Sequence, residues 1–597
     1  MYQLSILALS DVHSHISLYD YFLNQASMEN GLILAGSKMR AIKKENEQKG
    51  ILTLCLDNGD VLQGNIIADY AASNALKIHP MAEMMNQIPM DVSTFGNHEF
   101  NYGLNYLNDY IHSTTFPIVN CNVFDKNNEP LTQSYTILER TFHDGTPIKI
   151  GITGVVPEEI LKWDKAHLED KVIVKPMIEA LQQTTQQLKT AGCDLIIGLL
   201  HTGMNTSDLE KTTGENLVYQ LAKNSDLDAL VFGHTHQMFP SDDYKDLPNV
   251  DIEKGKIFNT FAVQPVSFGS HLGQIDFELD FDKQSKKFSI QNGQSKVIHL
   301  KEAALQIDED LVKLNQKTHE ALLAYIAQPI GHTNVPIQSY FSQIAPSRAV
   351  EIVAKAGKHK FMEITKEMDL GSEGIISTSA PIKAGRDGIY DYVDIPAGPL
   401  TLKDAISIYR FPNTMAACNV TGKVLKEWLE WSVSCFNTLD QPLILKENQS
   451  TEPGFPSYNQ DIFYELSYTI DLSVPARYSN IGEKINNTNR VNDVIFNGAP
   501  VNDEAIFTVL TNDYRLSFCP ILQDNMTIIP IETLEVRQVV IDYIKSYGLD
   551  FEPSIPFKFK HNGPYPFITS PNAKEASNIR ATNQMHGEYQ VFEITNQ

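Results

Sequence analysis

No apolar run in this chain of 597 residues approaches the ~20 that a membrane-spanning helix needs. Basic residues are scarce as well: 48 Lys and Arg against 73 Asp and Glu leave a formal charge of −25. That balance argues against a surface that coats nucleic-acid polymers or anionic membranes. It leaves small anionic substrates open, because bound metal ions make a pocket locally positive inside an acidic exterior. The six cysteines (Cys55, Cys121, Cys193, Cys418, Cys435, Cys519) form no CxxC pair and read as small buried hydrophobes. The opening MYQLSILALSD carries neither a basic n-region nor a cleavable h-region, so the chain as it stands is expected to be cytoplasmic. Had a signal peptide been removed, the remainder would read the same and the protein would be exported. Internal repeats and low-complexity tracts are absent too.

At this length more than one hydrophobic core is expected. The first ~280 residues alternate apolar runs with helix-like stretches, the pattern of an α/β layered domain. QLSILAL, GILTLCL, FPIVNCNV, PIKIGITG, DLIIGLL and ALVFG read as buried strands, and PMIEALQQTTQQLKTAG as an amphipathic helix stopped by Gly192. Asp308 to Ala327 reads as one long helix, with apolar Leu311, Leu314, Leu322 and Tyr325, acidic residues leading it and Pro329 following. It lies where the strand–helix alternation stops, so it reads as a connection between domains. The expected division is 1–300, a linker helix over 301–330, and a second domain over 331–597, richer in prolines and aromatics.

The chemistry-bearing residues collect where the first domain's strand-like runs end. QLSILALS runs into Asp11-Val12-His13, and GILTLCL into Asp57-Asn58-Gly59-Asp60. MDVSTF leads to Gly96-Asn97-His98-Glu99, DLIIGLL to His201, and ALVFG to His234-Thr235-His236. Singly, each has a plain explanation: an Asp after a strand caps a turn, and a lone His is usually structural. Together, five loops offer Asp, Asn or His at the C-terminal edge of strands, where open α/β sheets place their sites. Imidazole, carboxylate and one amide oxygen suit borderline or hard divalent ions rather than soft ones. Two such ions bridged by one carboxylate can ionise water and clamp both oxygens of an in-line phosphoryl displacement. A bridging carboxylate belongs on a sharp glycine-flanked turn, and Gly59-Asp60 fits.

DVH, NGDVLQGN, GNHE, LLHTG and FGHTH, in this order and spacing, resemble the calcineurin-like metallophosphoesterases. Within them the chain is similar to the family of 5′-nucleotidases and 2′,3′-cyclic-nucleotide 2′-phosphodiesterases. In the second half, GRDGIYDYVDIPAG, YRFPNT, VTGKVLKEWLEWS, FPSYN, VPARY and TNDYR resemble that family's C-terminal domain. The resemblance implies an α/β four-layer β-sandwich flanked by helices, joined by a long helix to a second, α+β, nucleoside-binding domain. It implies two divalent metal ions (Mn, Zn, Co, Fe or Mg): one held by Asp11, His13, Asp60 and His236, the other by Asp60, Asn97, His201 and His234. His98 would face the phosphate as a donor, and the second domain would swing about a hinge at Asp308–Ala327.

Two details choose a branch. The 5′-nucleotidases usually read GNHEFD, with Gln where this chain has His236. GNHEFNYGL with FGHTH, and Ile67-Ala68-Asp69-Tyr70 after QGN, resemble the cyclic phosphodiesterases. Neutral Asn101 would orient His98 without holding it charged, leaving a weaker clamp and a readier proton donor. The resemblance thus implies attack of a metal-bridged hydroxide on a nucleoside 2′,3′-cyclic phosphate, then hydrolysis of the 3′-nucleotide to nucleoside and phosphate. It also implies that Phe411 and Tyr514 sandwich the base and that Arg386 reaches phosphate or ribose oxygens. The implied partner is a small nucleotide, with no nucleic-acid polymer and no membrane, acting on a monomer. One departure stands out: LSFCPILQ follows TNDYR where the family has a glycine-rich loop. Rival expectations are a 5′-nucleotidase or nucleotide-sugar hydrolase on the same scaffold, and a nucleoside-binding protein with a decayed site.

Overall fold

The computed structural model describes every residue except 22–24, 75, 77, 207, 302–305, 412, 448–453, 524, 532, 533, 596 and 597. Four positions at the head of the expected linker, 302–305, therefore lie outside the described residues. The chain divides into two compact units, Met1–Tyr325 and Ile326–Gln597.

The first unit is built on β1 (Tyr2–Leu9), β2 (Leu52–Asp57), β3 (Tyr135–Thr141), β4 (Pro147–Val155), β5 (Leu195–Leu200), β6 (Ala229–Phe232), β7 (Thr260–Pro265), β8 (His271–Asp282) and β9 (Lys287–His299). A four-stranded sheet runs β9-β8-β1-β2, and a larger sheet contains the run β7-β6-β5-β4-β3. Within these, β1 and β2 are parallel, as are the pairs β4–β5, β5–β6 and β6–β7, while β3 runs antiparallel to β4. Period-two alternation sorts the strand side chains. Leu195, Ile197 and Leu199 of β5 join Leu4 and Ile6 of β1 and Ile275 and Phe277 of β8 in one core between the sheets. Ile196 and Leu200 point the other way, into a core with Leu181 and Leu188 of the helix Met177–Thr190. The helix Leu32–Lys49 covers the smaller sheet. The order is helix, sheet, sheet, helix, the four layers expected.

FPIVNCNV departs from its reading. Only Val123–Asp125 is a strand there, while Ile118 and Val119 make isolated bridges. The polar Asn120 and Asn122 explain this: both are buried, and their side chains bind backbone rather than continue a ladder.

The helix Glu309–Ile326 is tied to the first unit along its length. Arg40 meets Asp308 at 2.7 Å, Asn315 donates to Ser17 at 2.6 Å, and Tyr21 lies 2.8 Å from His319 Nδ1. Gly36 leaves room for Leu311: a Cβ there would come within 3.1 Å of the leucine.

The second unit has a mixed five-stranded sheet of β10 (Ile375–Ser379), β11 (Met415–Thr421), β12 (Ile462–Phe463), β13 (Ile506–Asn512) and β14 (Thr527–Ile529), ordered β12-β10-β13-β11-β14. Phe507 and Val509 of β13 share a core with Trp428 of the helix Gly422–Ser432. On the opposite face, Leu510 packs over Gly357 of the helix Arg348–Ile364. Among the described residues no helix is long and apolar enough to cross a membrane.

Candidate active site

Because β1, β2, β5 and β6 run parallel within their sheets, the loops after them gather at one edge of the sandwich. Asp11, His13, Asp60, Asn97, His98, His201, His234 and His236 converge there. Ligand atoms of Asp11, His13 and His236 lie within 4.8 Å of one another, as do those of His13, Asp60 and His98 and those of Asp60, His201 and His234. Asn97 joins through its Oδ1, 2.9 Å from His234 Nδ1.

The backbone is bent hard to achieve this. Asp11, His13, Asp60, His234 and His236 all have left-handed φ, between 48° and 71°. Each costs about 1 kcal/mol or more, strain that collects at sites where the surrounding structure dictates geometry. Close approach dictates the glycines. A Cβ on Gly96 would stand 2.2 Å from Asp60 Oδ1 and 2.6 Å from His201 Cε1, and one on Gly64 would meet His13 Cβ at 2.7 Å.

Second partners aim the imidazoles. His13 Nδ1 faces the Gln63 carbonyl at 2.8 Å and His201 Nδ1 the Asn58 carbonyl at 2.7 Å. Each Nδ1 therefore carries the hydrogen, and each Nε2 lone pair turns inward. His13 Nε2 sits 2.9 Å from His236 Nε2, and His201 Nε2 is 3.0 Å from Asp60 Oδ2. Fully buried, His201 Nε2 has no aligned hydrogen-bond partner among the described residues. Inward lone pairs facing one another beside two carboxylates form a donor set that a divalent cation satisfies. The residues fit a metal centre.

Burial and the two carboxylates pull the imidazoles in opposite senses. Burial pulls the His13 imidazole down to about 3, so it is neutral, as a ligand must be. At His201 burial acts downward too, but the Asp60 and Asp11 carboxylates outweigh it and lift the imidazole to about 10, so a cation binding there displaces the proton from Nε2. Burial alone would raise Asp60; His201 and His98 instead hold it well below the usual carboxylate range.

Four residues without an assigned role in the sequence reading support this cluster. Glu99, buried, accepts backbone N–H bonds from Asp60 (2.8 Å), Val61 (2.6 Å), Leu62 (3.1 Å) and Gly96 (2.5 Å), binding two ligand loops together. Glu215 lies 3.3 Å from His234 Nε2. Trp163 stacks on His234, with centroids 5.6 Å apart and planes at 18°. Asp164 accepts from Asn101 Nδ2 at 2.9 Å, and Asn101 Oδ1 lies 2.6 Å from His98 Nδ1. GNHEFN advertised Glu99 directly; Glu215 comes from a loop, and Trp163 and Asp164 from the junction of two one-turn helices, Ile160–Trp163 and Lys165–Leu168, whose sequences carry no signal of their own.

In the second unit, TNDYR is a wiring pattern. Asn512 caps the helix Asp513–Phe518, and Asp513 binds Thr414 of YRFPNT through its backbone and hydroxyl. Arg515, buried, pairs with Asp461 at 2.9 Å beside FPSYN. Tyr514 is left partly exposed between Tyr458, edge-on at 6.2 Å, and Phe518, stacked at 4.6 Å. Arg386 lies over Tyr458 at 5.0 Å. Phe411, partly buried, is covered by Arg410, which also binds Asp387 at 2.9 Å. Among the described residues no ring contact joins Phe411 to Tyr514.

The sequence matches two families, Calcineurin-like phosphoesterase over residues 4–238 and 5′-nucleotidase, C-terminal domain, over residues 329–519. The chain is 34% identical over 528 residues to a 2′,3′-cyclic-nucleotide 2′-phosphodiesterase/3′-nucleotidase of Salmonella typhimurium, covering 86% of this chain and 81% of that protein. It belongs to the calcineurin-like phosphoesterases that carry a 5′-nucleotidase C-terminal domain. It is also 34% identical over 559 residues to the trifunctional nucleotide phosphoesterase YfkN of Bacillus subtilis, spanning 91% of this chain but 38% of that longer protein. A putative 5′-nucleotidase of Staphylococcus aureus, solved in complex with alpha-ketoglutarate, shares the fold with a TM-score of 0.72. The two are 23% identical, with 93% of this chain and 99% of that one covered. Members of this family of phosphoesterases use divalent metals, and the clustered Asp and His side chains are where this chain can hold them.

Proposed function

We propose that this protein hydrolyses nucleoside 2′,3′-cyclic phosphates to 3′-nucleotides, and then 3′-nucleotides to nucleoside and phosphate. One observation carries the choice of branch: the proton donor beside the metal cluster, His98, is held at 2.6 Å by an amide, Asn101, not a carboxylate. Relatives that share this architecture at 32–34% identity over most of the chain bear that activity in their names. Asp11, His13, Asp60 and His236 would hold one divalent ion, and Asp60, Asn97, His201 and His234 a second. Mn, Zn, Co, Fe and Mg all accept such ligands. When bound, the pair supplies an activated water and neutralises phosphoryl charge.

The chain's own residues do the rest. His98, its Nδ1–H held by Asn101, presents Nε2 to the phosphoester; as the doubly protonated ring it gives the Nε2 proton to the departing 2′-oxygen and is left as the neutral Nδ1–H form. A cyclic diester carries one negative charge, so it needs less clamping and more help in expelling its ring oxygen. Phe411 and Tyr514 stack on the base, worth about 1–3 kcal/mol and tolerant of base identity. Arg386 supplies charge for phosphate or ribose oxygens.

Steady-state rates of the metal-loaded protein on 2′,3′-cyclic AMP, 3′-AMP and 5′-AMP test this. The cyclic diester should give the highest kcat/KM, with 3′-AMP also turned over. Preference for 5′-AMP would establish a 5′-nucleotidase instead, and adenosine binding without hydrolysis a decayed site.

A further inference from the structure

Asn101 is not the end of its chain of contacts. An amide can offer oxygen or nitrogen to a histidine, and which one it offers fixes the tautomer. Here the far side of the Asn101 amide faces Asp164 Oδ1, and only the Nδ2 edge can donate to a carboxylate. Its oxygen must therefore face His98, and His98 Nδ1 must carry the hydrogen. Asp164 is well placed to dictate this. It is 6% exposed, its backbone N–H donates to Ile160 at 2.9 Å, and its carbonyl accepts from His167 and Leu168, each at 2.9 Å. The residue before it, Trp163, lies flat against the imidazole of His234. One rigid step of chain thus touches the candidate donor through Asn101 and a candidate metal ligand directly.

We propose that Asp164 is a positioning residue for the hydrolytic reaction, acting through the Asn101 amide to keep a hydrogen on His98 Nδ1, so that Nε2, turned to the substrate, is the atom that takes up and gives up the transferred proton. The idea rests on the reading of His98 as proton donor. It resolves why the amide suffices: the carboxylate that a donor histidine usually contacts is present one residue further out. Removing Asp164 frees the amide to turn its nitrogen toward His98 Nδ1, which makes Nδ1 an acceptor and opposes the doubly protonated ring from which Nε2 gives up its proton.

Asp164→Ala should lower kcat on 2′,3′-cyclic AMP about 10–100-fold, the range for loss of a residue that orients a functional imidazole. KM and metal content should stay within twofold of the unaltered protein. The side-chain nitrogen spectrum of ¹⁵N-histidine-labelled, zinc-loaded protein should show His98 losing its Nδ1–H form, a change that simple loosening of the fold would not produce. Asn101→Asp sets two carboxylates about 2.9 Å apart and should be impaired as well. Combining it with Asp164→Asn restores a donor–acceptor pair and should recover at least tenfold over Asn101→Asp alone. That rescue keeps the test decisive should Asp164→Ala fold poorly. Unchanged kcat in Asp164→Ala, or no rescue in the double variant, overturns the proposal. His98→Ala is the separate control: if turnover survives it, the donor reading falls and the proposal with it, whereas loss there with no effect of Asp164→Ala removes Asp164 alone.

Discussion

Gly96→Ala adds one methyl group to the centre of the site. A Cβ there would stand 2.2 Å from Asp60 Oδ1, 2.6 Å from Asp60 N and 2.6 Å from His201 Cε1. Ordinary C···O contact is roughly 3.2 Å or more, so Asp60 or the Gly96 loop must shift by about 1 Å. Backbone strain plays no part, because the φ of Gly96 lies outside the left-handed range. The loop is pinned by the Gly96 N–H bond to Glu99, and Asp60 by its 2.7 Å bond from the His98 N–H. Either movement breaks a bond that aligns a candidate ligand with the candidate donor. Overpacking of this kind costs about 1–3 kcal/mol of stability. A displacement of about 1 Å among reacting groups costs about 100-fold in rate. Turnover should therefore fall about 100-fold while the protein stays folded with a modestly lower melting temperature. Gly145→Ala, in the β3–β4 turn, is the matched control. Its φ of 89° makes alanine strained, but nothing lies within 4 Å of the new Cβ, so it should lose stability and keep activity. Calorimetry, elemental analysis and kcat/KM on one preparation of each decide the matter. Gly96→Ala with full turnover would refute the claim that the Asp60–His201 spacing limits the chemistry.

Three further outcomes are expected. Glu99→Gln replaces one oxygen that receives two backbone N–H donors with an NH₂ group; with about 1.5–3 kcal/mol per hydrogen bond to a charged acceptor, calorimetry should show melting about 5 °C lower or more. Phe518→Ala removes the ring stacked on Tyr514, worth about 0.5–1.5 kcal/mol, and should raise KM for nucleotides about 3–10-fold with kcat unchanged. Lys560→Met tests a charge pair in the second unit by thermal melts across pH. Burial would raise the Asp471 carboxyl, but hydrogen bonds from Lys560 at 2.7 Å and from Ser473 hold it below the ordinary range. A lowered carboxyl contributes stability above its unfolded value of about 4 and loses it as the pH drops below that. The deficit of Lys560→Met, about 1–3 °C for a half-exposed lysine, should thus be largest near pH 7 and shrink in acid.

The strands that carry the site were legible because they are buried on both faces and read as unbroken apolar runs, each ending in Asp, Asn or His. The hairpin β8–β9 was not. HLGQIDFELDFD alternates Leu272, Ile275, Phe277 and Leu279 with polar residues, and it lies where sequence reading anticipates a domain's end. Yet it supplies half of the sheet on which β1 and β2 rest. The helix Glu309–Ile326 was readable from its period and leading acids. Its attachment to the first unit was not, because Asn315 and His319 look like surface residues until Ser17 and Tyr21 are placed beneath them. In the site, short motifs displayed the residues on sharp turns, whereas Glu215 reaches His234 from an irregular loop and Trp163 from the end of the one-turn helix Ile160–Trp163, neither of which carries a pattern.

The same distinction explains what Asn101 could and could not say. From sequence it was an amide beside a histidine, a sign of weaker electrostatic support. In the fold it is a relay with a fixed sense, since a carboxylate behind it decides which of its ends faces His98. An Asp at 101 would do that work directly and leave Asp164 as a like charge to be neutralised. An Asn needs Asp164, or its amide is free to turn. Positions 101 and 164, which lie sixty-three positions apart, are therefore one choice rather than two. A difference at one without its counterpart at the other should impair turnover more than the paired exchange does.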